Sequence, residues 1–338
     1  RQMCIRDRQT NMKLRLLTGT ILLSFWMSLP ADACTGLIAG RKATTDGSVL
    51  VTYSADSHTL YGALERTPAA DWAKGSKLQI IEWDTNKPLG EIDQVEHTYA
   101  VLGNMNEHQV TIVESTWGGR SELADTTGII DYGSLMQLGL QRARTAREAI
   151  DVMTSLVDRY GYYSSGESFT IADPNEVWIM EMIGKGPGRR GAVWVAVRIP
   201  DDCIAGHANQ ARIHQFPLKD KNCLYSPDVI TFAREMGYFE GEDKDFSFAN
   251  AYAPADFGAL RGCEARVWGF FRRYDETMDS YLPYINGESK VPFPLYIRPA
   301  RKLSVQDMKE AMRDHFEGTP FDLSLIHISE PTRLQLIS

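Results

Sequence analysis

Cys34-Thr35-Gly36-Leu37-Ile38-Ala39-Gly40 is followed, after Arg41 to Thr45, by Asp46-Gly47 and then by Ser48-Val49-Leu50-Val51-Thr52-Tyr53. Two apolar runs flank an Asp-Gly pair, and glycine supplies the positive φ that tight turns demand, so the stretch reads as a β-hairpin. A cysteine at the start of its first strand would be held by a rigid element, which suits a reacting group.

Just upstream, Met12-Lys13-Leu14-Arg15 is a basic start, Leu16 to Leu29 is apolar, and Ala31-Asp32-Ala33 is an A-x-A cleavage signal. Residues 12–33 therefore read as a secretory signal peptide cut after Ala33. The apolar run falls short of the ~20 residues that a bilayer span requires. The competing reading is a lipoprotein signal that acylates Cys34. Against it stand Ala31, where such signals usually carry Leu, and the immediate entry into a strand.

The extreme ends read as foreign. Leu323 to Ile328 can be encoded by a DNA word whose reverse complement, shifted in frame, encodes Gln2-Met3-Cys4-Ile5-Arg6-Asp7. Both ends then come from one transposon adapter in opposite orientations, and Ser329 to Arg333 continues it. Residues 1–11 and 323–338 are set aside as non-native, leaving a domain over 34–322. In the intact gene that domain is expected to continue past Asp322, so the chain reads as C-terminally truncated.

With 43% hydrophobic and 24% charged residues the composition is that of a globular protein. A formal net charge of -8 argues against nucleic acid, whose phosphates need a basic surface. Of five cysteines, Cys4 belongs to the adapter. If Cys34 is a free nucleophile, Cys203, Cys223 and Cys263 allow at most one bridge, which is no disulfide scaffold.

Further along, a second hairpin is expected from Thr98 to Leu102 and Val110 to Val113. Helices follow at Ser134 to Arg144 and after a capping box, Thr145-Ala146-Arg147-Glu148. Strands are expected at Ser168 to Ala172, Val177 to Ile183, Ala192 to Ile199 and Ile204 to Ala208. More helices are expected at Pro227 to Met236, Leu260 to Tyr274, and Ser304 to Phe316, the last capped by Ser304 and Asp307. Hairpins, helices, strands and helices in that order suit an α+β layered domain, and an αββα sandwich accommodates it.

Signal cleavage after Ala33 would give Cys34 both a thiol and a free α-amine. An α-amine titrates near ~7.7–8.0, so it can act as general base close to neutral pH. Nucleophile and base would then share one residue. An ordinary small buried cysteine is the plain alternative.

Several stretches together resemble the PepD-type dipeptidases, which are cysteine N-terminal-nucleophile (Ntn) hydrolases related to secernins, penicillin V acylase and bile-salt hydrolase. They are Cys34-Thr35, Gly40 to Thr44, Asp46-Gly47-Ser48, Asp56, Asn104 to His108, Glu122 to Thr126, Ile171 to Glu176, Trp194 to Asp202 and His207 to Arg212. The resemblance implies a four-layer αββα Ntn fold, hydrolysis of short peptides through a thioester, and no metal or cofactor. It implies a secreted or periplasmic enzyme, off the membrane once its signal is removed, and it is compatible with a homo-oligomer. It places the nucleophile at Cys34 and an orienting aspartate at Asp56. It places oxyanion donors at Thr116 and Asn209 and a late active-site arginine at Arg266. Relatives usually carry arginine where this chain has Tyr53. An amidase acting on bile salts or acyl-lactams would use the same nucleophile. A lipid-anchored binding protein is the reading outside enzymes.

His58, His97, His108, His207 and His214 show no H-x-x-x-H or H-E-x-x-H spacing and read as solvated or core histidines. Trp178, Trp194 and Trp268 read as core, and Glu240 to Asp245 as a solvated loop.

Overall fold

The computed structural model describes residues 33–56 and 62–323. The segments assigned to the adapter before Met12 and after Leu323, the signal segment before Ala33, and His58 lie outside them.

The chain opens with the expected hairpin. Strand β1 (Ala33–Ala39) pairs antiparallel with β2 (Leu50–Asp56), Cys34 opposite Ala55 and Ala33 opposite Asp56. Between them Gly47 takes φ +80°, a conformation that costs a residue with a Cβ. Strand β3 (Thr111–Trp117) follows, then helices α1 (Tyr132–Arg142) and α2 (Ala146–Tyr160). Strands β4 (Gly166–Ala172), β5 (Val177–Gly184), β6 (Ala192–Ile199), β7 (Ile204–His207) and β8 (Cys223–Tyr225) come next. The chain continues through α3 (Val229–Glu235), α4 (Phe248–Tyr252), α5 (Ala265–Arg272), β9 (Tyr296–Ile297) and α6 (Val305–Ala311).

Two antiparallel sheets dominate. The smaller has the order β9-β7-β1-β2. The larger has the order β8-β6-β5-β4-β3 and ends in three short strands at 105–106, 101–102 and 66–67. Strand period two sends alternate residues to opposite faces. Phe169, Ile171, Trp178, Met180 and Met182 pack under α1 and α2 with Leu135, Leu138, Ile150 and Met153. The opposite face of the larger sheet carries Ile179, Ile183, Val193 and Val195, which meet Ile38 and Ala205 of the smaller sheet. Leu37, Ala39 and Ile204 face the other way, against Val267, Trp268 and Phe271 of α5. Each inward residue is worth roughly 1.5–3 kcal/mol of burial, so this alternation fixes the strand register.

Gly36 sits where the two sheets meet. A Cβ there would lie 2.7 Å from His207 Nε2, inside contact distance. His207 is fully buried and bonds Ser115 Oγ and Thr170 Oγ1, both at 2.7 Å.

The α+β class is as read from the sequence, and most elements lie within two or three residues of expectation. Four differences have physical causes. Helix α1 starts at Tyr132 because Asp131 caps it, accepting from Gly133 N and Ser134 N. Thr145 caps α2, but the Glu148 carboxylate reaches Arg144 N and not Thr145 N, so only half of the expected box closes. The second hairpin is broken up: Asn106 accepts from His108 N and Val110 N and donates to Leu140 O and Ala143 O, tying the segment to the end of α1. The helix expected over Leu260 to Tyr274 contains a wide π turn at Leu260–Glu264 before α5. The capping box of Ser304 and Asp307 is complete. Trp178 and Trp268 are buried and Trp194 partly so. Among the described residues no helix is long and apolar enough to cross a membrane.

Candidate functional site

A cleft of about 680 Å³ opens where the start of β1 meets β3, β4 and the first turn of α1. Cys34, Asp56, Thr116 and Asn209 line it. Four of the five residues singled out from sequence are bonded into one network, and Asp56 stands at its edge.

Cys34 N donates to Asn209 Oδ1 at 2.7 Å. Arg266 Nη2 donates to the same oxygen at 2.8 Å, and Arg266 Nη1 donates to Cys34 O at 2.7 Å and to Thr35 Oγ1 at 2.9 Å. Arg266 follows the π turn, and its Nε donates back to Gly262 O. The side chain thus spans the start of β1 and the segment after β7. Asn209 itself takes φ +54°, a left-handed conformation that asparagine tolerates better than most residues. One Nδ2 proton goes to Thr116 O at 2.5 Å. A primary amide has two such protons, so one donor remains for a ligand.

Thr116 is placed differently from its expected role. Its hydroxyl donates to Glu167 Oε1 at 2.7 Å. A hydroxyl has a single proton, and here it is directed at a carboxylate. Asp56 lies on β2 opposite Ala33, is exposed, and accepts from Ser54 Oγ. It adds negative charge near the Cys34 thiol.

The thiol has neighbours that the sequence reading missed. Cys34 Sγ donates to Glu114 Oε1 at 3.6 Å, and Tyr53 OH donates to that oxygen at 2.5 Å. Tyr53 is thereby a hydrogen-bond donor to a carboxylate. Glu114 and Glu167 lie on the same face of adjacent strands, because Thr116 pairs directly with Glu167 and Glu114 is two residues before it. The two are 2% and 0% exposed. Glu114 Oε2 and Glu167 Oε2 are buried and receive no hydrogen bond from any third residue among the described residues. What each carboxyl faces is the other. Burial first, and for Glu167 the charge of Glu114 next, raise both carboxyls above the ordinary range. Burial, then Glu114 and Glu167, push the Cys34 thiol far up, so the thiol holds its proton in this state of the site.

The wider lining repeats this sign. Seven lining residues are acidic (Asp56, Glu65, Glu82, Asp84, Glu114, Asp125 and Glu167), and among the described residues no lining residue is Lys, Arg or His. Asp84 accepts from Tyr132 OH at 2.9 Å. The one signal in the sequence was a glutamate inside each of two otherwise strand-like runs, Thr111 to Trp117 and Gly166 to Ala172.

The remaining candidates stand apart. Cys203, Cys223 and Cys263 are free thiols, as is Cys34. His97 is exposed and pairs with Asp71, and His214 is half-buried against Ser247. Among the described residues no group of three or more His, Cys, Asp or Glu side chains is placed to hold a metal ion.

Comparison with known proteins adds a family. The sequence model of peptidase family C69 matches residues 33–337. Among curated proteins, a probable dipeptidase of Salmonella dublin is 26% identical over 309 residues, covering 86% of this chain and 68% of that protein. A probable dipeptidase of Latilactobacillus sakei is 25% identical over 310 residues, covering 86% of this chain and 62% of its own length. A dipeptidase of Bifidobacterium longum (strain NCC 2705) is 25% identical over 331 residues, with 86% and 60% covered. The chain thus spans roughly two thirds of the length of these relatives.

Proposed function

Because this chain belongs to peptidase family C69, we propose that it contributes the catalytic site of a cysteine-type dipeptidase whose nucleophile is Cys34. The observation that carries the reading is the network around Cys34: Asn209 and Arg266 hold its backbone at the mouth of a cleft, and its sulfur faces into that cleft. The names of the relatives point to dipeptides as substrate. The two sheets, with helices α1 and α2 outside one and α5 outside the other, fit the four-layer Ntn sandwich.

In this chain Cys34 N is the amide of the Ala33–Cys34 peptide bond and cannot act as a base. Removal of residues 12–33 as a signal peptide, which would also place the enzyme outside the cytoplasm, frees an α-amine beside the thiol. The proton of Sγ then passes to that amine while sulfur bonds the scissile carbonyl carbon. The tetrahedral intermediate places its oxyanion near the remaining Nδ2 donor of Asn209. Its collapse breaks the C–N bond, and the amine's proton goes to the leaving group, giving a thioester. Water attacks the thioester, its proton passes to the α-amine, and the thiolate leaves and is reprotonated. Acyl-amide hydrolysis would use the same steps, but a cleft lined by carboxylates suits a cationic substrate group better than an apolar acyl chain.

The test is a panel of dipeptides against conjugated bile salts and penicillin V, with protein matured to Cys34. Dipeptides are expected to be cleaved, and Cys34→Ala is expected to lower turnover by roughly 1,000-fold or more with the fold intact. Cleavage of the bile salts and penicillin V alone, or normal rates in Cys34→Ala, would overturn the reading.

A further inference from the structure

The cleft holds two buried carboxyls, and no described lining residue is a cation that could answer them. Burying carboxylates without a counter-charge is costly, so the pair favours holding a proton, and a cationic group beside it would be stabilised. Glu114 Oε2 and Glu167 Oε2 are buried, the two carboxyls face one another in the cleft wall, and no cation of the described lining neutralises the pair. The described residues offer no cluster suited to a metal ion, whereas an ammonium group needs only acceptors.

Covalent geometry supplies the position. In a peptide the α-nitrogen of the acyl residue lies about 2.5 Å from the carbonyl carbon. A thiol poised to attack stands about 3–3.5 Å from that carbon. The ammonium of a substrate under attack therefore lies no more than about 6 Å from Cys34 Sγ. Glu114 Oε1 is 3.6 Å from that sulfur, and Glu114 and its neighbour Glu167 both line the cleft.

We propose that Glu114, backed by Glu167, is the anchor for the α-ammonium of the substrate's first residue, and that the site thereby selects peptides with a free, charged amino terminus. This rests on Cys34 being the nucleophile, as proposed above, and adds which end of the peptide the acidic wall reads. Tyr53 and Thr116 are positioning residues here: Tyr53 donates to Glu114 Oε1 and Thr116 to Glu167 Oε1, which fixes the two carboxyls in the wall of the cleft. The bound ammonium would also offset the negative field on the thiol.

The probes are alanyl-alanine and its analogue propionyl-alanine, which keeps the amide and the methyl group and lacks only the ammonium. Binding is measured by calorimetry to the Cys34→Ala protein, and hydrolysis with the intact nucleophile. A buried site built for a polar group rejects the analogue lacking it, so alanyl-alanine should bind about 100-fold or more tighter. In Glu114→Gln that ratio should collapse toward about 10-fold or less, through loss of alanyl-alanine affinity, with propionyl-alanine unchanged or improved. A carboxylate acting only on the thiol would instead lower both rates equally and leave the binding ratio intact. Equal binding of the two ligands, or a ratio unmoved by Glu114→Gln, overturns the anchor. If Glu114→Gln does not fold, the ratio in Cys34→Ala alone decides. Failure of the parent reading looks different: no hydrolysis of any dipeptide by protein with its thiol, whatever the binding ratio.

Discussion

Glu181 and Glu264 form one buried acidic site in this molecule, and Glu114 with Glu167 forms another, and the two are built on opposite plans. Arg212, itself 3% exposed, serves the first. Its backbone N and that of Ile213 donate to Glu181, and its Nε lies 2.9 Å from Glu264 Oε1, a charge contact without ideal hydrogen-bond alignment. Its remaining donors reach Gly206 O, Pro294 O and Leu295 O, and the guanidinium stacks over Phe293. The second site has a tyrosine, a threonine and a thiol as donors and, among the described residues, no arginine or lysine in its lining. A buried acid with its cation inside the fold fastens chain segments together. A buried acid without one, open to a cleft, is poised for a cation from outside.

The contrast is easiest to break at Arg212. Arg212→Met should cost about 3–5 kcal/mol of stability in denaturant unfolding, because it leaves Glu264 and several carbonyls buried without their donor. A loss below about 1 kcal/mol would mean that the arginine is not the fastener described.

The acid of the cleft should behave in the opposite way. Glu167→Gln keeps an acceptor for Thr116 and removes a charge, so the free protein should gain about 1 kcal/mol at pH 8. The pH dependence sharpens this. The Glu167 carboxyl is raised above its ordinary 4.5, so the folded state prefers its protonated form. Its contribution is fully present below pH 4.5 and is lost as pH rises through the raised folded value. The slope is at most about 1.4 kcal/mol per pH unit for one proton. Melting temperatures of the two proteins should therefore diverge above pH 5 or so. Parallel profiles would show that Glu167 is already satisfied within the fold.

The smallest effect belongs to Thr116→Val. It removes the donor to Glu167 Oε1 and should cost about 1 kcal/mol in thermal unfolding. If the oxyanion role assigned from resemblance were correct, turnover would fall far more than stability. The structure favours the first outcome, since the hydroxyl proton is directed at Glu167.

Much of this frame was legible in sequence. The apolar runs around Asp46-Gly47 gave the hairpin, and Ala192 to Ile199 was bounded to the residue. Ser304 and Asp307 announced their helix by local hydrogen bonding alone. Cys34, Asn209 and Arg266 came through resemblance and meet in one network. Glu114 and Glu167 did not come through. In Thr111 to Trp117 both alternate sets mix apolar and polar residues, Ile112, Glu114 and Thr116 against Val113, Ser115 and Trp117. Period two cannot say which set is buried, and a strand glutamate then reads as solvated. The hairpin of Lys77–Ile81 and Pro88–Asp93 and the helix Phe248–Tyr252 were missed as well, being short and bounded by weak signals.

The sequence by itself determined what depends on neighbours along the chain: period, caps, turn glycines, and a cysteine poised at the start of a strand. These are local because φ/ψ preferences and capping bonds reach only a few residues. Only the tertiary structure decided which carboxylates share a cleft, which of them keep a cation, and that Arg266 reaches Cys34 across the fold. Those outcomes follow from strand register and burial, which are settled when distant segments pack, and burial is what turns an ordinary glutamate into a group that requires a partner.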